Sequence, residues 1–259
     1  PSPFPFKFVR SWVHKVFFIT CGQKPEWLNL KCEKLVWVKH EDYIPKENLP
    51  LYNSRAIEIG MHKIPGLSEH FVYFNDDFYL TDYVSSDFFF KNGMPRDMLV
   101  FSPLIGGLKS LISYTQLSDC AIINSHFNKH NFIKENFFKV FNFNYGMQLF
   151  RNILMSPFPN VSSFLNQHFA QPFLKSSLAE VWMEFPEQCE ETQKSRFREP
   201  MNVNQWLFRY WQLMSGKFVP TNLNKGRKYY ALGNEFDHMV DSIKHGNRCF
   251  LNCASSRTP

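Results

Sequence analysis

The segment that most limits the fold runs Glu69-His-Phe-Val-Tyr-Phe-Asn-Asp-Asp-Phe78. Residues 71–74 are an unbroken apolar run that passes directly into Asn75-Asp76-Asp77. Such a run fits a strand buried on both faces, as in an α/β sheet. In open α/β sheets the ligand crevice lies outside the carboxyl ends of the strands. Two adjacent carboxylates there are costly unless a cation pairs with them. A divalent metal holding a phosphate-bearing substrate is one such partner, with Asp76 and Asp77 as ligands. A plain surface turn is the alternative, because Asn and Asp favour turns anyway.

The flanking pattern points the same way. Val-Phe-Phe-Ile-Thr at 16–20 and Leu-Val-Trp-Val-Lys at 35–39 read as strands. The second ends in His40-Glu41-Asp42, again polar residues at a carboxyl end. Asn53 or Ser54 caps a predicted helix over 55–64, with Ile57, Met61 and Ile64 at helical spacing. Glu58 and His62 lie four apart and share a face of it, and Pro65-Gly66 stops it. Strand, helix and strand in this order predict a mainly parallel, Rossmann-like sheet with a helical C-terminal portion. A further strand is expected at 100–104 and a helix at 133–141. Ser177-Leu-Ala-Glu180 reads as a capping box opening another helix. Over 202–215, Val203, Trp206, Leu207, Tyr210, Trp211 and Met214 recur at helical spacing, a stripe for core packing, with Gly216 as cap. Between these helices Lys194-Ser-Arg196-Phe-Arg198 is a compact basic cluster that holds phosphate or is simply a solvated loop.

Composition narrows the partners. At 44% hydrophobic and 20% charged residues, the 259-residue chain is not disordered and has room for one large domain or two small ones. A net charge of +6 suits an anionic partner: a phosphorylated substrate, an acidic membrane surface or nucleic acid. The basic residues form no long Lys/Arg run, which disfavours nucleic acid. The six cysteines include no Cys-x-x-Cys, and Cys249-x3-Cys253 has no second pair to complete a zinc site, so the thiols read as buried or incidental ones in a reducing compartment. No apolar run approaches the roughly 18 residues of a membrane span, and no signal peptide is visible.

These motifs then add up. His40-Glu-Asp-Tyr-Ile-Pro, Leu49-Pro-Leu-Tyr-Asn-Ser54, Ala56-Ile-Glu58, His62-Lys-Ile-Pro-Gly-Leu-Ser68 and Phe71-Val-Tyr-Phe-Asn-Asp-Asp77 stand in one unbroken order. This order resembles the central signature block of the Stealth family, whose members include bacterial capsular-polysaccharide phosphotransferases and the animal lysosomal-enzyme N-acetylglucosamine-1-phosphotransferase. Phe18-Ile-Thr-Cys-Gly-Gln-Lys-Pro-Glu-Trp-Leu-Asn29 also looks like that block. His168, Pro172-Phe-Leu-Lys175, Phe185-Pro-Glu187 and Ser195-Arg-Phe-Arg198 are similar to the family's third block. The resemblance covers most of residues 12–252 and is closer to the bacterial members. Two departures accompany it. The family's first block, expected before residue 12, is absent. Arg248-Cys-Phe-Leu-Asn252 looks like the start of a Cys-Leu-Asn-Asp segment, yet Cys253 stands where an acid is expected. The chain is therefore expected to be a single catalytic domain truncated at both ends. Its parts would be an α/β core over 12–105, a variable insertion over 106–160 and a helical part over 161–252.

The resemblance implies transfer of a hexose 1-phosphate from a nucleotide-sugar to a sugar hydroxyl, releasing UMP when the donor is a UDP-sugar. It implies Mg²⁺ or Mn²⁺ on Asp76 and Asp77 against the diphosphate. Arg198 would clamp the phosphoryl oxygens, and His168 would act as general base or phosphate hydrogen-bond donor. His40, Asp42, Asn53, Ser54, Asn75, Lys175 and Arg196 would line the substrate crevice, with Glu58 and His62 lining or bracing it. The expected partners are the nucleotide-sugar donor, a growing polysaccharide acceptor and capsule-assembly proteins at the membrane surface, with no nucleic acid. The expected location is the cytoplasm or the periphery of a bacterial inner membrane. Two other functions fit parts of the pattern: a metal-dependent glycosyltransferase that releases UDP, and an inactive remnant that binds a glycan or nucleotide.

Overall fold

The computed structural model describes residues 12–26, 28–80, 82–107, 110–232, 235–245 and 250–255, so Arg248 and Cys249 lie outside the described residues. Strands β1 (Val16–Thr20) and β2 (Leu35–Lys39) have the bounds expected from sequence and pair in parallel, Val16 opposite Leu35. Helix α1 (Ser54–Glu58) is capped by the Asn53 side chain, which accepts the Arg55 N–H at 3.2 Å. It ends well short of residue 64. At Gly60 a Cβ would lie 2.6 Å from Gln193 Nε2, and the chain continues as a 3-10 turn over Met61–Lys63. Glu58 and His62 therefore do not share a helix face. Glu58 meets the Tyr73 hydroxyl at 2.9 Å, while the His62 ring packs 5.5 Å from Trp182.

The chain continues through β3 (His70–Tyr73), β4 (Phe78–Leu80), β5 (Phe90–Lys91), β6 (Met94–Asp97) and β7 (Phe101–Ser102). The β5–β6 hairpin turns on Asn92 and Gly93, both at positive φ, which suits the right-handed strand twist. Four helices follow: α2 (Leu111–His126), α3 (Lys129–Glu135), α4 (Phe137–Val140) and α5 (Leu149–Met155). The predicted helix at 133–141 is thus divided at Asn136. After β8 (Ser163–Phe164) and β9 (Gln171–Leu174) come α6 (Lys175–Glu184), α7 (Pro186–Lys194) and α8 (Gln205–Met214). Last are β10 (Val219–Pro220), β11 (Arg227–Leu232), α9 (Phe236–His245) and β12 (Phe250–Ser255).

The architecture is mixed α/β, but the expected single parallel sheet is replaced, among the described residues, by several small ones. Among the described residues, parallel pairing is confined to β1–β2, β6–β10 and β11–β12. Strand β3 pairs with β9 in antiparallel register, His70 opposite Leu174 and Tyr73 opposite Gln171. The order strand–helix–strand misleads because β3 takes its partner from the C-terminal half rather than from β2. Its residues are exposed or half-buried, not enclosed on both faces. The expected strand at 100–104 shrinks to β7, although residues 98–101 are fully buried.

Helix α8 is the centre of the core, with every residue buried against neighbours that include α2 and α6. Its polar members are matched: Gln212 Oε1 accepts the Leu174 N–H at 2.7 Å, and Arg209 forms a two-point ion pair with Asp97. Gly216, at φ +68°, follows its last turn in the left-handed conformation that glycine adopts without strain. Helix α6 begins before the supposed capping box. Its first turn is satisfied from the residue just before β3: Glu69 O accepts the Lys175 N–H at 2.7 Å, and the Glu69 carboxylate accepts the Ser176 N–H at 3.2 Å and its hydroxyl at 2.6 Å. Ser177 is buried within the helix, and Glu180 turns to Trp211 Nε1 at 2.9 Å. Cys120 and Cys189 are buried free thiols, as expected. Among the described residues no helix is long and apolar enough to cross a bilayer.

Candidate active site

The antiparallel register of β3 and β9 builds the site. Because Tyr73 faces Gln171, the chain leaving β3 and the chain entering β9 emerge at the same end of the pair. Asp77 and His168 lie on those two segments and meet there, Asp77 Oδ2 to His168 Nε2 at 3.1 Å. The His168 ring stands edge-on to Phe78 with centroids 5.0 Å apart. The second carboxylate oxygen, Asp77 Oδ1, is buried with no hydrogen-bond partner among the described residues. Leaving a buried carboxylate oxygen unmatched is costly, and a cation is its natural complement. Asp76 is exposed beside it. Among the described residues no three His, Cys, Asp or Glu side chains converge as a metal cage. Mg²⁺ does not require one, since it is commonly held by one or two carboxylates together with substrate phosphates. The donor set of Asp77 Oδ1 and Asp76 fits that pattern. Strand β12 sets Asn252 opposite Phe78, so Cys253 is the next residue along on the Asp77 side. The departure from the expected acid thus falls beside the pair.

Behind Asp77 lies a buried polar cluster. Tyr73 OH contacts both Glu58 Oε1, at 2.9 Å, and Asn75 Oδ1. A phenol has one proton, so one contact must run the other way. Either the Glu58 carboxyl is protonated and donates, or Asn75 presents its amide. Burial raises the Glu58 carboxyl to about 7, with the Tyr73 bond and the Arg198 and Arg55 charges opposing. Burial likewise raises Tyr73 well above an ordinary phenol, helped by Glu58, Asp76 and Asp77. Glu58 therefore feels Arg198 on one side and, through Tyr73, the Asp76–Asp77 turn on the other.

Arg198 is placed by α1. The buried Asn53 amide donates toward Ser195 O (3.1 Å), Phe197 O (3.2 Å) and Asn202 Oδ1 (2.8 Å), gathering the basic loop against the helix start. Tyr52 stacks on Phe197 at 5.6 Å, and Arg198 Nη2 donates to Ser54 Oγ at 3.1 Å. Arg196 is exposed on the same loop, and its carbonyl accepts the Tyr52 N–H at 3.0 Å. Two other expected residues serve elsewhere. Asp42 Oδ2 accepts the Lys39 N–H at 2.7 Å and closes the turn after β2, and His40 is half-buried, its pKa lowered by that burial. Lys175 stands at the opposite end of β3 from Asp77, its Nζ donating to Leu67 O at 3.3 Å.

His168 opens onto a cleft of about 390 Å³ whose lining includes Arg227, Lys228, Asn224 and Gln167. Gln167 Nε2 donates to Asn224 Oδ1 at 2.6 Å across one wall. Arg227 is buried, its guanidinium 4.8 Å from the Phe88 ring; burial lowers its pKa to about 10, so it stays cationic at neutral pH. Two cations beside His168 give the cleft an affinity for anions. The sequence reading passed over both, although Lys225-Gly-Arg-Lys228 is a basic run behind a turn.

Residues 6–97 match Stealth protein CR2, conserved region 2, and residues 167–212 match Stealth protein CR3, conserved region 3. Asp77 comes from the first region and His168 from the second. Over 233 residues the chain is 42% identical to the capsular polysaccharide phosphotransferase WcwK of Streptococcus pneumoniae, covering 90% of this chain and 69% of that protein. The chain belongs to the Stealth family. A second relative, the receptor polysaccharide phosphotransferase WefC of Streptococcus gordonii, is 37% identical over 242 residues, 92% of this chain and 72% of its own. The exopolysaccharide phosphotransferase cps2G of Lactiplantibacillus plantarum is 35% identical over 236 residues, 91% and 69% of the two chains.

Proposed function

We propose that this Stealth chain transfers a sugar 1-phosphate from a nucleotide-sugar, a UDP-hexose or UDP-N-acetylhexosamine, to a sugar hydroxyl. The product is the phosphodiester of a capsular or exopolysaccharide. Family membership makes the chain a phosphotransferase enzyme of polysaccharide synthesis. The donor, the acceptor and the residue roles are the proposal. One observation carries it: Asp77 and His168, drawn from the two matched regions, meet where His168 lines a cleft together with Arg227 and Lys228.

Phosphoryl transfer asks for positioning, charge neutralisation and removal of the attacking hydroxyl's proton. With the proton on Nε2, the Asp77 carboxylate accepts it and fixes the imidazole, leaving Nδ1 as the basic nitrogen of the neutral ring. His168 takes the acceptor hydroxyl proton as the sugar oxygen bonds to the sugar-bearing phosphorus. The bond from that phosphorus to the oxygen of the departing nucleotide monophosphate breaks. Arg198 clamps the transferring oxygens with its planar fork. Arg227 and Lys228 hold the remaining phosphate charge in the cleft. Mg²⁺ or Mn²⁺ on Asp76 and Asp77 would supply charge neutralisation of the diphosphate.

Nucleotide release tests the reading. With a UDP-sugar and an oligosaccharide acceptor, UMP should appear in step with phosphodiester formation. UDP alone would mean a glycosyltransferase. Tight UDP-sugar binding with no nucleotide released would mean a binding remnant.

A further inference from the structure

Helix α5, between the two matched regions, is mounted inside out. In α5 the polar Asn152 faces inward: its Oδ1 accepts the Phe101 N–H at 2.8 Å, and its Nδ2 donates to Leu99 O at 2.8 Å and Val140 O at 2.7 Å. The apolar Phe150, Ile153 and Leu154, spaced as one face, point to solvent. Phe138 is 83% exposed, Phe143 90%, Met147 77% and Leu154 71%, far more than isolated surface apolar residues require. The mounting is firm. The buried Lys129 Nζ donates to Met155 O (2.7 Å), Phe158 O (3.0 Å) and Asn160 O (3.3 Å), clamping the end of α5 under α3.

The charge within residues 136–160 has one sign. Residues 136–160 contain no Asp or Glu, and Arg151 lies exposed among the apolar side chains, with Lys134 and His130 exposed on the adjoining α3. Glu135 is the one nearby acid on that helix. A second copy seated on the patch by two-fold symmetry would set cation against cation. An anionic lipid surface matches both properties, apolar tips for the acyl boundary and cations for the phosphates. Beside α5 an apolar cleft of about 420 Å³, lined by Pro103, Ile105, Leu154 and Met155, has Arg151 on its wall. That is the chemistry of an acyl chain with its phosphate.

We propose that residues 137–158 are a membrane-docking face that seats the enzyme on an anionic phospholipid bilayer. The proposal does not depend on which group the enzyme transfers. The test is co-sedimentation of the purified chain with phosphatidylglycerol–phosphatidylcholine vesicles and with phosphatidylcholine vesicles alone, alongside analytical ultracentrifugation without lipid. Binding should require phosphatidylglycerol and weaken with salt. Phe143→Ser, Phe150→Ser and Leu154→Ser together should reduce vesicle affinity at least about 100-fold, roughly tenfold for each side chain that enters the boundary. Lys134→Gln with Arg151→Gln, which removes no apolar packing, should reduce it about 25-fold. Failure to bind phosphatidylglycerol vesicles, or undiminished binding by the charge variant, overturns the proposal. So does a dimer in solution that the Ser substitutions disperse, because the face would then be covered by a second copy.

Discussion

Replacing Asp97 by Asn should cost more stability than any change at the candidate active site. Asp97 is buried at the end of β6 and serves two buried cations. Arg209 engages it at two points, Nε to Oδ2 at 2.8 Å and Nη2 to Oδ1 at 2.9 Å, and the Met98 N–H adds a third at 2.6 Å. Its charge also supports Arg227, which Arg209 and Arg96 repel. Asn keeps the volume but turns an NH₂ toward a guanidinium. One charge-assisted bond goes, worth about 1.5–3 kcal/mol. A guanidinium that cannot shed its proton stays in the core, and breaking such a pair costs about 3–5 kcal/mol in all. Arg209 retains Asn166 Oδ1 at 2.9 Å and Met98 O at 3.0 Å. The lower end, about 3 kcal/mol, is therefore expected. At about 2–4 °C per kcal/mol for a chain of this size, Tm should fall by about 6–12 °C in scanning calorimetry. Asp97→Asn with Arg209→Gln should lose less than the two single changes added together, with a coupling of about 2 kcal/mol. A Tm within about 2 °C of the parent, or simple additivity, would show that the buried pair does not carry this stability.

Three further outcomes follow from the site. Asp77→Asn should lower kcat at least about 100-fold while leaving Tm within about 2 °C, because the side chain is partly exposed and its contact to His168 can persist; undiminished metal-dependent turnover would remove the metal assignment. Arg198→Lys should lose about tenfold in kcat/KM and Arg198→Ala about 100-fold, since Lys supplies charge without the fork; equal activity of the two would show that bidentate contact is not used. For Glu58, the folded carboxyl near 7 lies above its ordinary 4.5, so the folded state retains a proton that the unfolded chain releases. Its contribution is full below about pH 4.5 and is lost as pH rises through about 7, a change of up to about 3 kcal/mol. Glu58→Gln should therefore gain in Tm relative to the parent between pH 5 and pH 8 (about 3 kcal/mol at most), and parallel pH profiles would refute it.

What could be read from sequence was local. β1 and β2 have their expected bounds, α8 its expected stripe, and Asn75-Asp76-Asp77 its place after an apolar strand. What could not be read was pairing at a distance. Nothing near residue 70 announces that β3 will choose β9, yet that choice puts His168 beside Asp77 and sends Lys175 to the far end. The start of α6 fails for the same reason: Glu69, remote in sequence, outcompetes a well-formed local capping box. The Glu58–His62 face dissolved because Gly60 must let the chain pass close to Gln193. Arg227 escaped notice because a short basic run behind a turn reads as a solvated segment; only the fold reveals that this arginine is buried beside His168.

The Asn53 amide has a consequence for dynamics. It closes the first turn of α1 with one end and binds the 195–202 loop with the other. Local opening of α1 and release of Arg198 are therefore one event. A phosphate that engages Arg198 can bind only the closed form, and by reciprocity its binding must suppress that opening. The slowest-exchanging amides gained on binding donor should include Arg55 and Ile57, on a helix that need not touch the donor at all. A helix of barely more than one turn would thus report, through its exchange rate, whether the distant basic loop is occupied.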